Sequence, residues 1–317
     1  MNKHALCAVT AGACSAAAVS AVDFSITKTL VDIALDHEPP KVLELLQKKI
    51  SRSTRTNEFL REMERTEEKL LEKSNTLVTI TAADGTELRG HWIPADNPKR
   101  VLVAMHGWRG RWSRDFGMIA DFWASEGCSV LYAEQRGQNE SSFEHMGFGL
   151  TERYDCACWA EWAADKGLPV YLAGVSMGAS TVLMSSNLPL PGCVRGIMAD
   201  CAFTSPDKIW EHVVHDNLHL PYNLRSLVAN RLCKRKTGYG SNEFSTVESL
   251  KASELPVLLI HGEDDNFVPV GMAYENYETC SALRRILVVP GADHGMSYYI
   301  DREAYENAMR SFWRDCD

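Results

Sequence analysis

No C-x-x-C pair occurs among the ten cysteines of this 317-residue chain, at 7, 14, 128, 156, 158, 193, 201, 233, 280 and 316. Cys156 and Cys158 form only a C-x-C, and no His/Cys set follows at metal-ligand spacing. A zinc-finger-type module is therefore excluded. The thiols read as free and largely buried in a reducing compartment, with disulfides entering only if the domain is exported. Cys128 and Cys201 fall in or beside predicted strands, where a free cysteine behaves as a small apolar residue. No Lys/Arg-rich stripe stands out and the formal net charge is −9. That argues against a nucleic-acid partner and leaves the acidity to serve solubility. Internal repeats and low-complexity tracts are also lacking. With 45 % hydrophobic and 24 % charged residues, the chain can bury a sizeable core as one large domain or two small ones.

Charge is absent from residues 5–22 (ALCAVTAGACSAAAVSAV), between Lys3-His4 and Asp23. The length is near the lower limit for crossing a bilayer, but alanine and serine give little insertion free energy. Three readings stay open: an uncleaved anchor, a signal peptide cleaved after Ala-Val-Ser-Ala21, and a soluble or peripheral helix. Residues 24–75 read as charged helices, interrupted at Glu38-Pro39-Pro40 because two prolines cannot continue a helix interior. Lys41 to Ile50 and Asn57 to Lys73 restart it. Glu62, Glu64, Glu67, Glu68 and Glu72 alternate with Arg61, Arg65, Lys69 and Lys73, the pattern of a solvated helix face.

From Thr76 the pattern changes to short apolar runs separated by turns. Leu77 to Ile80 and Leu88 to Ile93 flank Asp84-Gly85, a hairpin signal. Strands are predicted at Arg100–Met105, Cys128–Ala133, Leu168–Ala173, Val194–Ala199, Val257–Ile260 and Ile286–Val289. Helices are predicted between them, among them Phe116–Ser125, Glu152–Asp165 and Tyr274–Ala282. The alternation predicts an α/β fold: a mostly parallel eight-stranded sheet with helices on both faces and an antiparallel hairpin at one edge. In such sheets chemistry sits beyond the carboxyl ends of the strands. Those ends carry His106-Gly107-Trp108, Asp200-Cys201, His261 to Asp265 and Gly291 to His294.

Gly174-Val175-Ser176-Met177-Gly178 reads G-x-S-x-G between a predicted strand and a predicted helix, the context of a nucleophile elbow. A serine hydroxyl needs a base, and histidine has the fitting intrinsic pKa. His294, in a polar turn between Gly291 and Gly295, is the expected base. A carboxylate must orient that imidazole, and Asp265 is the expected one, with Asp264 as its rival and Glu263 a weaker alternative. The order Ser, Asp, His fits α/β hydrolases. The oxyanion donors expected are the backbone N–H groups of Met177, directly after the nucleophile, and Trp108, after the third strand. His106 reads as a structural hydrogen-bonding residue.

With these residues in place, Thr76 to Trp313 resembles the α/β-hydrolase superfamily, and within it the bacterial esterase and serine-aminopeptidase-like group. The resemblance rests on His106-Gly107-Trp108, Gly174 to Gly178, the G-x-x-D-x-x-V-P stretch Gly262 to Pro269, and Asp293-His294. It places the motif's aspartate at Asp265. Glu134 to Ser141 is similar to the family's D-x-R-G-x-G-x-S loop, departing from it at Glu134 and Asn139. The resemblance favours the anchor reading of residues 5–22, hence a membrane-associated bacterial protein, with a cytoplasmic one as the alternative. It implies a small helical lid within residues 204–256, where Asp207 to Leu218 and Asn223 to Lys234 read as amphipathic helices. The organisation expected is a hydrophobic segment and helical extension over 1–75, then a hydrolase domain over 76–317. Trp108, Trp112, Phe143, Met146 and Phe148 are expected pocket walls, fitting an apolar acyl or aryl group. His212, His215 and His219 lack a placed carboxylate partner and read as lid histidines, so no metal and no cofactor is expected.

The activity expected is hydrolysis of a small-molecule carboxylic ester through an acyl-enzyme. An aminopeptidase or amidase with the same triad is the alternative, and would need an acidic cluster in the lid, for which Glu211 and Asp216 are the candidates. A membrane-tethered binding protein on a retained hydrolase fold is the alternative of a different class.

Overall fold

The β1 (Thr76–Thr81) and β2 (Glu87–Ile93) strands pair antiparallel around the turn that Asp84-Gly85 predicts, with Asp84 Oδ1 accepting the Thr86 amide at 3.0 Å. The computed structural model describes residues 21–38 and 54–317. Most of the 5–22 run, the Pro39-Pro40 break and the helix expected over Lys41–Ile50 therefore lie outside the described residues. Among the described residues no helix is long and apolar enough to cross a membrane.

Six further strands follow: β3 (Arg100–Met105), β4 (Cys128–Ala133), β5 (Val170–Val175), β6 (Val194–Asp200), β7 (Val257–Gly262) and β8 (Arg284–Val289). They form one sheet in the order β1-β2-β4-β3-β5-β6-β7-β8. The β1–β2 and β2–β4 contacts are antiparallel and all others parallel. This is the predicted α/β-hydrolase architecture. Strand β5 starts two residues later than predicted. Pro169 has no N–H to give the ladder, although its carbonyl accepts the Val101 amide at 2.8 Å.

Two apolar layers cover the sheet. One face packs on helices Glu152–Ala164 and Met177–Ser185 through residues such as Trp159, Val182 and Leu183. The other packs on Trp112–Phe116, Ala120–Ser125 and Arg302–Cys316 through Trp112, Trp123, Phe312 and Trp313. The single helix predicted over Phe116–Ser125 is thus two short ones broken after Phe116. A Cβ at Gly117 would lie 2.8 Å from the Thr66 carbonyl, so the break is where helix Thr54–Leu71 presses onto this layer. That helix buries Phe59, Thr66 and Leu70 and turns its charged side outward, as expected.

The order reverses around β3: the chain leaves it towards β4 on one side and returns with β5 on the other. A crevice opens at such a point beyond the strand ends. The 204–256 insertion carries helix Pro206–His212, a π-helical turn Val213–Asn217, and helices Asn223–Thr237 and Thr246–Ala252. The last belongs to the main body, because Leu250 is buried in the layer beneath helix Met177–Ser185. The part lying apart from the sheet therefore ends before Ser245. Residues 21–35 are helical and pack against this insertion through Val31 and Leu35.

Candidate active site

Ser176 sits between β5 and helix Met177–Ser185 at φ +54°, ψ −117°, a strained conformation for a residue with a Cβ. Its amide donates to the Asp200 carbonyl at 2.8 Å, which ties the turn to β6. A Cβ at Gly178 would lie 1.9 Å from the Met105 carbonyl, so only glycine lets the turn seat against the end of β3.

His294 follows β8. Its Nε2 lies 3.0 Å from Ser176 Oγ and its Nδ1 2.7 Å from Asp265 Oδ2. A carboxylate can only accept here, so Nδ1 carries the proton and Nε2 is free to accept from the serine hydroxyl. Phe267 holds the imidazole edge-on, with ring centroids 5.0 Å apart. The sequence left two adjacent aspartates in play. Asp265 is the one that turns inward, whereas Asp264 and Glu263 are exposed. Asp265 Oδ1 accepts the Phe267 and Val268 amides at 2.9 and 2.8 Å. Burial opposes its ionisation, but hydrogen bonds from His261, His294 and the Val268 amide outweigh it and hold the carboxyl well below the usual range.

His261 was not singled out by the sequence. It is fully buried, donates from Nε2 to the Val268 carbonyl at 2.8 Å, and keeps the same nitrogen 3.3 Å from Asp265 Oδ2. It thus clamps the loop that carries the aspartate. Asp115 was missed too: its half-buried carboxylate accepts the Gly107 amide at 2.7 Å. No motif announces either: Asp115 acts on backbone, and His261 on backbone and on the Asp265 carboxylate, at positions that no pattern marks.

The loop after β3 comes close to the serine: a Cβ on Gly107 would lie 3.5 Å from Ser176 Cβ. Gly107 N and Arg109 N are consumed by Asp115 and Gln138 (2.6 Å). The Trp108 and Met177 amides donate to no group among the described residues. Two unspent N–H groups therefore flank the serine, one of them at a helix N-terminus. His106 is fully buried, bonds the Gly107 carbonyl through Nδ1 at 2.8 Å and accepts the Gln135 amide at Nε2 at 3.2 Å. Both nitrogens are occupied by backbone, as the structural reading expects. In the Glu134–Ser141 loop, Asn139 stands at φ +50°, a left-handed position that asparagine tolerates, and its side chain donates to the Gly110 carbonyl at 3.0 Å.

Beside the linked Ser176, His294 and Asp265 side chains lies an apolar cavity of about 130 Å³. Trp108, Phe148 and Phe267 wall it on that side, Ile209, Trp210, Val213, Val214 and Tyr222 come from the insertion, and Thr27, Leu30, Val31, Ile33 and Ala34 come from helix 21–35. Of the expected walls, Trp108 and Phe148 are there. Trp112 instead packs into the sheet layer, stacked on His91 with centroids 4.3 Å apart. Phe143 lines a different cavity with Arg136, whose guanidinium sits 5.2 Å from its ring. Met146 is fully buried and lines none of these cavities. Loop aromatics carry no periodicity, so their direction could not be read. Helix 21–35 was missed as a wall, although Thr27, Leu30, Val31 and Ala34 have the spacing of a buried helical stripe. It is pinned to the loop after β3: Trp108 Nε1 donates to the Ala34 carbonyl at 2.8 Å, and the Arg109 guanidinium to those of Ile33, Asp36 and His37.

Among the described residues one cluster could share a metal ion, namely Cys201, Asp265 and His294, with ligand atoms within 4.8 Å of one another. Two of its members, His294 and Asp265, are already bonded to each other at 2.7 Å. Burial drives the Cys201 thiol well above its ordinary pKa, which makes it a poor anionic ligand. His212 and His215 both meet Asp216, at 2.7 and 2.6 Å. The eight described cysteines are all free.

A family model for the prolyl oligopeptidase family matches residues 114–316. The chain belongs to this family. Relatives of the prolyl oligopeptidase-family chain include the uncharacterized protein YqkD of Bacillus subtilis, 26 % identical over 242 residues, covering 75 % of this chain and 78 % of that one. Human protein ABHD12B is 28 % identical over 242 residues, covering 69 % and 63 %. Among solved structures, the Pyrococcus furiosus esterase Pf2001 superposes with a TM-score of 0.63 at 21 % identity, over 78 % of this chain and 93 % of that one. An esterase from Exiguobacterium antarcticum gives 0.56 at 19 %, over 75 % and 99 %. The family and the shared sheet make this chain an α/β hydrolase.

Proposed function

We propose that the protein is a serine hydrolase of small carboxylic esters with an apolar acyl group, working through an acyl-enzyme. The observation that carries the reading is the unbroken chain of contacts from Ser176 Oγ through His294 to Asp265, at 3.0 and 2.7 Å. Ser176 attacks the ester carbonyl as His294 Nε2 takes its proton, and the buried carboxylate of Asp265 stabilises the imidazolium. The Trp108 and Met177 amides receive the oxyanion. Each such donor is typically worth about 3 kcal/mol in the transition state. His294 returns the proton to the leaving alcohol, and water deacylates Ser176 by the same route reversed. The 204–244 part of the insertion serves as the lid and, with helix 21–35, encloses the acyl group.

The family description and the shared triad chemistry also allow an amide substrate. The candidate acidic groups speak against an aminopeptidase. Glu211 is exposed and pairs with Lys208 at 2.9 Å, Asp216 is exposed and meets two histidines, and neither lines the cavity. The Arg225 guanidinium is spent on Asp23 and the Pro221 carbonyl, and no carboxylate lines the cavity to receive a substrate ammonium. The test is a series of p-nitrophenyl esters of graded chain length alongside aminoacyl-anilides, with Ser176→Ala as control. Ester turnover lost in the variant supports the reading. Preference for the anilides would replace the ester by an amide, and failure of both, in folded protein, would favour a binding role.

A further inference from the structure

A helix that covers a pocket normally turns its apolar side inward and its polar side to water. Helix Asn223–Thr237 does otherwise. Its buried positions are Arg225, Ala229, Cys233 and Thr237, while Leu224 and Leu227 stand 77 % and 60 % exposed. At 100° per residue, Leu224, Leu227, Arg231, Lys234 and Arg235 fall within one arc of roughly 100°, and all five are exposed. The outer face is therefore a leucine pair followed by a cluster of cations. The helix carries no acidic residue, on a chain whose net charge is −9. Arg231 and Arg235 pair with no described residue, and Lys234 meets only Glu243 at its far end, at 2.6 Å.

The same edge receives the N-terminal chain. Arg225 forms an ion pair with Asp23, and the residues flanking Asp23, Val22 and Phe24, are 60 % and 49 % exposed. The uncharged run of residues 5–22 thus ends beside the leucine end of this helix.

We infer that the outer face of helix Asn223–Thr237 docks onto an anionic lipid surface. Leu224 and Leu227 enter the interface, and Arg231, Lys234 and Arg235 lie against lipid phosphates. Charge selects this occupant over a second copy of the chain. A two-fold contact through this face would bury the cations of both copies with no carboxylate from either helix to meet them. The inner face of the helix contributes Arg225 and Ala229 to the cavity walls, beside Tyr222 at its N-terminus, so docking would bring that cavity up to the bilayer. The inference stands whether or not Ser176 is a nucleophile, since it concerns the opposite side of the helix.

The test is sedimentation of the full-length protein with vesicles of phosphatidylcholine, with and without phosphatidylglycerol, coupled to amide hydrogen exchange. Expected are preferential, salt-sensitive binding to the anionic vesicles and slowed exchange in residues 218–235. Arg231→Gln with Arg235→Gln should weaken the partition by about thirtyfold, and Leu224→Glu with Leu227→Glu by at least about tenfold. Both variants should keep wild-type circular dichroism and wild-type turnover of a short soluble ester. Partition unchanged in both variants, equal binding to neutral vesicles, or no protection of residues 218–235 would overturn the inference. So would concentration-dependent dimerisation abolished by the leucine variant without vesicle binding, which would assign the face to a second copy.

Discussion

At the scale of single residues, the account places each charge where its role needs it. Asp265 has a folded pKa below its unfolded one. Its stabilising contribution is complete above the unfolded value of about 4 and is lost as pH falls through the folded value. Its carboxylate therefore stays charged throughout the working range, and activity should show no step from its protonation above about pH 4. Asp265→Asn should cut kcat by about ten-thousandfold with KM little changed, measured on a soluble ester. Asp200 runs the other way. Burial pushes its carboxyl up to about 6, against weaker contributions from His261 and Tyr305. Its Oδ1 lies 3.3 Å from Ser297 Oγ. A raised folded pKa means stability present below the unfolded value near 4 and lost as pH rises through about 6. Asp200→Asn, which keeps the shape without the charge, should therefore melt progressively higher relative to wild type between pH 4 and 7. Parallel melting curves across that range would refute the assignment.

At the scale of elements, the wall supplied by helix 21–35 makes a sharper prediction. Val31 faces the cavity and is 3 % exposed. Val31→Trp should fill the acyl space, lowering kcat/KM for hexanoate and longer esters by about tenfold or more while acetate turnover is retained. A uniform loss across the series would point to misfolding, and no loss to an acyl group bound elsewhere. Arg109→Ala removes three hydrogen bonds to the carbonyl end of this helix. Amide exchange in residues 24–35 should then quicken by at least about fivefold, the equivalent of one modest hydrogen bond.

At the scale of the whole molecule, the sheet was legible almost residue by residue. Buried parallel strands are short apolar runs, and β3 and β4 have the bounds that Arg100–Met105 and Cys128–Ala133 predict. The proposed relay was legible because a strained strand-to-helix turn demands glycines on both sides of Ser176, and because His294 and Asp265 lie in the turns that follow strands. What escaped notice has a common cause. Trp112 and Phe148 are both aromatic loop-flanking residues, and only the packed chain decides which faces the cavity. Helix 21–35 meets its partners across 70 residues and more, through Trp108 and Arg109, and no local pattern encodes that distance. His261 and Asp115 bind backbone groups, which leave no trace in a motif. The same long-range packing turns two leucines of helix Asn223–Thr237 outward, where its sequence alone reads as an ordinary amphipathic cover.

The central claim is that Ser176 is a nucleophile activated by His294. Its most direct measurement is the intact mass of the protein after exposure to a fluorophosphonate, followed by peptide mapping. The account requires one adduct per chain, on Ser176, formed at least about a thousandfold more slowly in His294→Ala. A folded protein that takes up no label, or that labels at another serine with equal speed in both forms, would contradict it.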